Sequence, residues 1–134
     1  MSRQPATALS QAELYYQVQQ FYAAQMRLLD RGEAAAWAGS FTEDGVFHQN
    51  VDPEPLRGRA AITAAADKRL KVLAADGLTR RHWLGMLEVY AQPDGTVRTH
   101  YYAMAMATPQ GVRSRCTPAR STRTCWSQRR TGAG

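Results

Sequence analysis

Between residues 112 and 134 this chain has no Asp or Glu, and from Val112 onward it also has no Leu, Ile, Phe, Tyr or Met. Without those apolar side chains the segment can build neither the period of two of a strand nor the 3.6-residue stripe of a helix. The same stretch holds six of the 17 basic residues, Arg113, Arg115, Arg120, Arg123, Arg129 and Arg130, and the other 11 are matched by 11 acidic ones. The formal charge of +6 is therefore a property of the tail, and the neutral remainder carries no basic stripe of the kind that binds nucleic acid. Cysteine is scarce: Cys116 and Cys125 both lie in the tail, with no histidine close by, which argues against a zinc set and against a native disulfide. No metal site is expected. No apolar run approaches the ~20 residues of a membrane span. The start, Met1-Ser2-Arg3-Gln4-Pro5-Ala6-Thr7, lacks the apolar segment of a signal peptide. The expectation is a cytoplasmic protein that engages neither membrane nor nucleic acid specifically.

What is present is enough for one domain with a real core and not for two. Ser10 and Glu13 have capping-box spacing, and Leu14, Val18, Phe21, Tyr22, Gln25 and Leu29 then recur at helical intervals up to Gly32. A short helix over 33–39 carries Trp37 inward, and 41–45 turns into a brief strand over 46–49. Residues 50–55, with two prolines and two acids, read as loop. Leu56-Arg57-Gly58-Arg59 leads into a third helix with Ile62, Ala66, Leu70 and Leu73 on one stripe, ended by Gly77. Two long β-rich runs follow, 82–91 and 96–107, joined by Gln92-Pro93-Asp94-Gly95, a strong hairpin signal. Helices followed by an antiparallel meander make an α+β domain.

The chain thus divides into a disordered N-terminus, 1–9, a domain over 10–111, and an irregular Arg-rich tail over 112–134. Two long strands alone leave an exposed edge. Back-translation of Ser121 onward with codons ending in G or C, read one frame over, can spell His-Glu-Asp-Val-Leu-Val, a plausible strand. The tail is accordingly expected to be a frameshifted reading of the final strands, the alternative being a genuine disordered Arg/Ser/Thr tail, and resequencing of the gene would decide.

The blocks Tyr22-Ala23-Ala24-Gln25-Met26-Arg27-Leu28-Leu29-Asp30-Arg31-Gly32, Trp37, Phe41-Thr42-Glu43-Asp44-Gly45-Val46 and Leu56-Arg57-Gly58-Arg59-Ala60-Ala61-Ile62 resemble the nuclear transport factor 2-like superfamily. Arg81-His82-Trp83-Leu84-Gly85 with the Asp94-Gly95 hairpin is similar to its SnoaL-like and scytalone dehydratase-like branches. The run from His82 to Gln110 also resembles small proteins of this fold from actinomycete aromatic-polyketide clusters of the actinorhodin-pathway type. The resemblance implies a cone, in which a curved antiparallel sheet wraps three N-terminal helices around an apolar pocket, and a homodimer formed through the outer sheet face. Strict alternation, with His82 inward, places Leu84, Met86 and Glu88 on its side and Trp83, Leu87 and Val89 outside. On the partner strand the resemblance places Tyr101, Ala103, Ala105 and Ala107 inside, leaving His100, Tyr102, Met104 and Met106 as the apolar outer set.

His82 is the leading chemical candidate, because an imidazole exchanges protons near neutrality and a carboxylate can fix its tautomer. Asp30 is the carboxylate that the resemblance pairs with it. Both also have plain structural readings, His82 as a core histidine and Asp30 as a cap before Gly32. Tyr22 aligns with the tyrosine that donates to a carbonyl oxygen in ketosteroid isomerases, although a helix tyrosine is more often core. Gln49, Phe47, Trp37, Leu84, Met86 and Tyr101 complete the expected ligand-binding set. Two departures bear on the reaction: Gln49 stands where ketosteroid isomerases carry their proton-abstracting Asp, and Ala107 stands where scytalone dehydratase has a second cavity histidine. The expected activity is tailoring of an aromatic polyketide intermediate by general acid/base chemistry, as cyclase or dehydratase. It needs no cofactor, since C–H groups next to ketones are acidic enough. The alternative is a non-catalytic pocket protein that binds or shields a small hydrophobic ligand.

Overall fold

The computed structural model describes residues 9–49, 52–109 and the backbone of 115–117. All but Leu9 of the N-terminus expected to be disordered and nearly all of the expected tail lie outside these residues.

Helix α1, Gln11–Asp30, starts at a complete capping box: the Ser10 hydroxyl accepts the Glu13 N–H at 3.2 Å and the Glu13 carboxylate accepts the Ser10 N–H at 2.8 Å. Hydrogen bonding to the carboxylate from the Ser10 backbone N–H, and next from the Ser10 side chain, holds the Glu13 carboxyl below its ordinary range. The helix buries Val18, Tyr22 and Gln25, one stripe at spacings of four and three, and the chain leaves it through Gly32 at φ 81°, left-handed backbone that suits glycine. Helix α2, Ala34–Ala38, inserts Trp37 and Ala38 into the core. Strand β1, Val46–Phe47, pairs antiparallel with β2, Leu56–Arg57, a two-residue strand that composition alone had assigned to the approach to the next helix. Helix α3, Arg59–Ala75, is tied back to the α2 region because the Arg59 guanidinium donates twice to the Phe41 carbonyl, at 2.9 and 2.6 Å.

Two long strands follow. β3, Leu78–Ala91, begins immediately after Gly77, four residues before the expected start, and β4, Val97–Pro109, returns beside it. Their turn closes through Gln92 N–H donating to Thr96 O at 2.8 Å, while the Asp94 carboxylate accepts both the N–H and the hydroxyl of Thr96. β5, Arg115–Thr117, adds a third antiparallel strand, giving the order β3-β4-β5. Three residues of the stretch in which no regular element was expected are thus strand, drawn there by the unpaired N–H and C=O groups of β4. Among the described residues β3 remains an edge.

Two apolar clusters hold the fold together, the first joining the three helices to the β1–β2 pair and the second packing α1 on β3 and β4. Trp37, Ala38, Phe41 and Ile62 form one, with Leu28, Leu29, Phe47, Leu56 and Ala66 packed on it. Val18, Tyr22 and Val89 form the other, flanked by Leu14, Phe21, Leu84, Leu87, Val97 and Tyr101. The result is the expected α+β architecture, helices packed against antiparallel sheet. No helix among the described residues is long and apolar enough to cross a membrane.

Alternation along β3 holds from Leu78 to Gly85 and then breaks. Gly85 pairs with Tyr102 but Glu88 pairs with His100, so Met86 and Leu87 together face Tyr101, which is a β-bulge. Met86 takes φ 53°, left-handed backbone unusual for a side chain of its size, and is 74% exposed. The extra residue inverts the pattern beyond it. Val89, expected outside, is buried, and Leu87 turns toward the core, whereas Met86 and Glu88, expected inside, face solvent.

Candidate functional site

The end of α1 meets the first half of β3 at a polar contact. His82 Nδ1 donates to Asp30 Oδ1 at 2.6 Å, and the His82 backbone N–H donates to Asp30 Oδ2 at 3.2 Å. One carboxylate thus clamps both ring and backbone of the same residue, with the His82 and Asp30 side chains only 17% and 12% exposed. A carboxylate can only accept, so the proton of a neutral imidazole sits on Nδ1 and Nε2 is left as the lone-pair nitrogen. The pairing follows from the fold. Asp30 is the last residue of α1, and the alternation of β3 up to the bulge turns His82 to the helix side. Ala105 and Ala103 lie opposite His82 and Leu84, so small side chains flank the histidine on the neighbouring strand.

A cleft of about 480 Å³ opens between α1 and β3 and is lined by Tyr22, Asp30, His82, Leu84 and Leu87, together with Gln19, Ala23, Met26, Arg27, Arg31, Arg81 and Trp83. Tyr22, 6% exposed, shares a hydrogen bond of 2.6 Å with the hydroxyl of Thr99, which is fully buried. Its ring packs on Tyr101 at 4.9 Å. Burial pushes the Tyr22 phenol well above its ordinary range, the Thr99 bond opposing and Tyr101 reinforcing the shift. Tyr22 is therefore a neutral hydroxyl throughout the usual pH range, able to donate or accept a hydrogen bond and not to act as a base.

The structure brings His82, Asp30, Tyr22 and Leu84 of the expected set to one cleft, with Tyr101 behind Tyr22. It does not bring the others. Trp37 and Phe47 stack edge to face at 5.3 Å, each also against Phe41, inside the apolar cluster of α2 and α3. Gln49 is half-buried just past the end of β1 and does not line the cleft. Met86 is the clear correction: the bulge, which period-two reasoning cannot contain, carries it to the surface. Leu87 takes the lining position instead. Thr99 was also missed, although it lies two residues before Tyr101 on the same face and extrapolating the inward set by one step would have found it. Among the described residues no three His, Cys, Asp or Glu side chains gather as metal ligands would.

Comparison with known proteins places the chain in a family. No curated protein matches the chain. Among solved structures, ActVI-ORFA from Streptomyces coelicolor is 30% identical with a TM-score of 0.71, over 79% of this chain and 76% of that one. Aln2 from another Streptomyces strain is 34% identical with a TM-score of 0.70, over 87% and 77%. A Catenulispora acidiphila protein solved in complex with S-DNPA is 32% identical with a TM-score of 0.69, over 81% and 77%. The SnoaL-like domain matches residues 10–134, and the chain belongs to that family, within the nuclear transport factor 2-like superfamily.

Proposed function

We propose that the protein tailors an aromatic polyketide intermediate by general acid/base chemistry, as a cyclase or dehydratase. One observation carries the reading: Asp30 fixes the His82 ring through Nδ1, leaving Nε2 as a base in a partly dry cleft large enough for an aromatic ligand. In the forward step Nε2 takes a proton from a carbon next to a ketone, and the electron pair moves to the carbonyl oxygen as an enolate. The protonated imidazole then returns its proton to a leaving hydroxyl, expelling water, or to the oxygen of a newly closed ring. Asp30 stabilises the charged ring between the two steps. Tyr22, neutral and at the cleft wall, supplies a hydroxyl to the enolate oxygen. The chemistry draws on these side chains alone. The kinship with ActVI-ORFA and Aln2, and a relative's complex with the small molecule S-DNPA, support a small-ligand pocket.

The second reading is a pocket protein that binds or shields such a ligand without turnover, and Ala107 in place of a second cavity histidine favours it. In either case we propose a homodimer through the outer sheet face, where Tyr90 and Tyr102 are 45 and 56% exposed.

The test is turnover. Purified chain incubated with aromatic hydroxyketone intermediates should yield a product one water lighter, or an isomer of altered retention, by mass spectrometry. His82→Ala should lower the rate by roughly 10²- to 10⁴-fold, the span of general acid/base catalysis. A wild-type rate in the variant sinks the mechanism, and tight ligand binding without product in the wild type selects the second reading.

A further inference from the structure

Arg81, His82, Trp83 and Leu84 of β3 all border the cleft, so it takes in both faces of the strand margin: His82 and Leu84 from the helix side, Arg81 and Trp83 from the other. Trp83 stands apart from the rest. It is a large apolar ring left 48% exposed at the cleft, whereas tryptophan is on average one of the more buried residues. Its place is set by a neighbour. Gly85 lies two residues on, hence on the same face, and the benzo end of the Trp83 indole occupies the space in which a Cβ at residue 85 would stand. The ring carbons Cζ2 and Cζ3 fall 2.6 Å from that point and Cη2 falls nearer still, closer than carbon atoms approach without bonding. The indole therefore lies along the strand against bare backbone, in a seat that glycine alone leaves open. With that end of the ring against Gly85, its exposed part is what borders the cleft.

We propose that Trp83, seated on Gly85, is the residue that selects flat aromatic ligands, its exposed ring stacking on the ligand bound in the cleft. The inference rests on the reading of the cleft as a small-ligand pocket and adds to it the surface that tells an aromatic ligand from a merely apolar one. Two rings in offset or edge contact attract each other beyond the area they bury, whereas a saturated skeleton of the same size gains the area alone. A ring free to turn would lose part of this gain on binding, and the seat on Gly85 restricts that freedom in advance. Trp83 is thus a specificity residue and exchanges no proton in the reaction.

The experiment titrates the full chain calorimetrically with 2-naphthoate and with decalin-2-carboxylate, two acids of one carbon skeleton and one charge, of which only the first has an aromatic face. The wild type should prefer naphthoate by roughly three- to tenfold, the scale of an aromatic pair. Trp83→Leu should remove most of that preference by weakening naphthoate while leaving the saturated acid within about twofold, and Trp83→Phe should keep part of it. Gly85→Ala should act nearly as Trp83→Leu does although the indole is still present, because the added methyl evicts the ring from its seat. Tyr102→Ala, opposite Gly85 on β4 and outside the cleft lining, should leave the preference intact. Equal affinities in the wild type, a preference that survives Trp83→Leu, or an equal loss in Tyr102→Ala overturns the proposal and leaves the pocket reading standing. Binding of neither acid overturns both. Should Trp83→Leu fail to fold, Gly85→Ala decides: a reduced preference supports the seated ring and an unchanged one overturns it.

Discussion

The cluster around Trp37 and the seam between α1 and β3 are built from similar numbers of aromatic rings and do opposite things with them. In the cluster, Trp37, Phe41 and Phe47 meet edge to face at 5.0 to 5.7 Å and close over Ile62, which is fully buried. In the seam, Tyr22 and Tyr101 pack beside a cleft, and polar atoms reach one another across it: Tyr22 to Thr99, Asp30 to His82. The packed region contributes stability, and none of its residues lines the cleft. The open region leaves apolar area uncovered and gains a fixed histidine. Sequence reasoning assigned ligand contacts to both, since apolar aromatics in a pocket-forming family look the same whichever surface they line.

The comparison can be broken where it is strongest. Ile62→Ala empties the centre of the sealed cluster and should cost about 2–5 kcal/mol in a urea melt. It should leave turnover of the aromatic hydroxyketones by the folded protein unchanged; a lost rate would mean that the cluster and the cleft are one site. The seam should respond differently. Tyr22→Phe removes one partner of a buried bond and strands the Thr99 hydroxyl, for a loss of about 1–3 kcal/mol.

It also predicts a pH dependence. The Tyr22 phenol is raised in the fold, so its stabilising contribution is complete below the unfolded value near 10 and declines as pH climbs above it, where the unfolded chain gives up a proton that the native state retains. Wild-type thermal midpoints should therefore fall above about pH 10 more steeply than those of Tyr22→Phe; parallel curves would show that the phenol titrates freely. The smallest effect belongs to Met86→Gly. Relief of a left-handed backbone and the added freedom of glycine oppose each other, so stability should move by no more than about 1 kcal/mol. Turnover should stay put. A large change in rate would return Met86 to the cleft.

Much of this was legible beforehand, for identifiable reasons. Ser10 and Glu13 announced α1 because a capping box is a local device, complete within four residues. The Asp94-Gly95 turn announced the hairpin for the same reason. The dyad was legible only through resemblance: nothing local links Asp30 to His82, 52 residues apart. What could not be read depends on counting or on length. β2 has two residues, too few for any period, and exists because β1 offers it partners. Arg80 looked like one of two consecutive arginines before a strand. Its half-buried place became visible once β3 was seen to start at Leu78, which puts it inside the element and not ahead of it.

The bulge at Met86 has a consequence for how this chain can vary. Upstream of it β3 presents even-numbered residues to the helices and downstream odd-numbered ones, and the single added residue accounts for the change of parity. Residue type at position 86 is lightly constrained, being exposed, and so is the presence of the residue itself. Deleting one amino acid at the bulge would leave a plain ladder in which simple alternation keeps Val89 on the helix side and Glu88 outside. Relatives should therefore vary here in length by that one residue as well as in type, with the inward set unchanged on both sides of it.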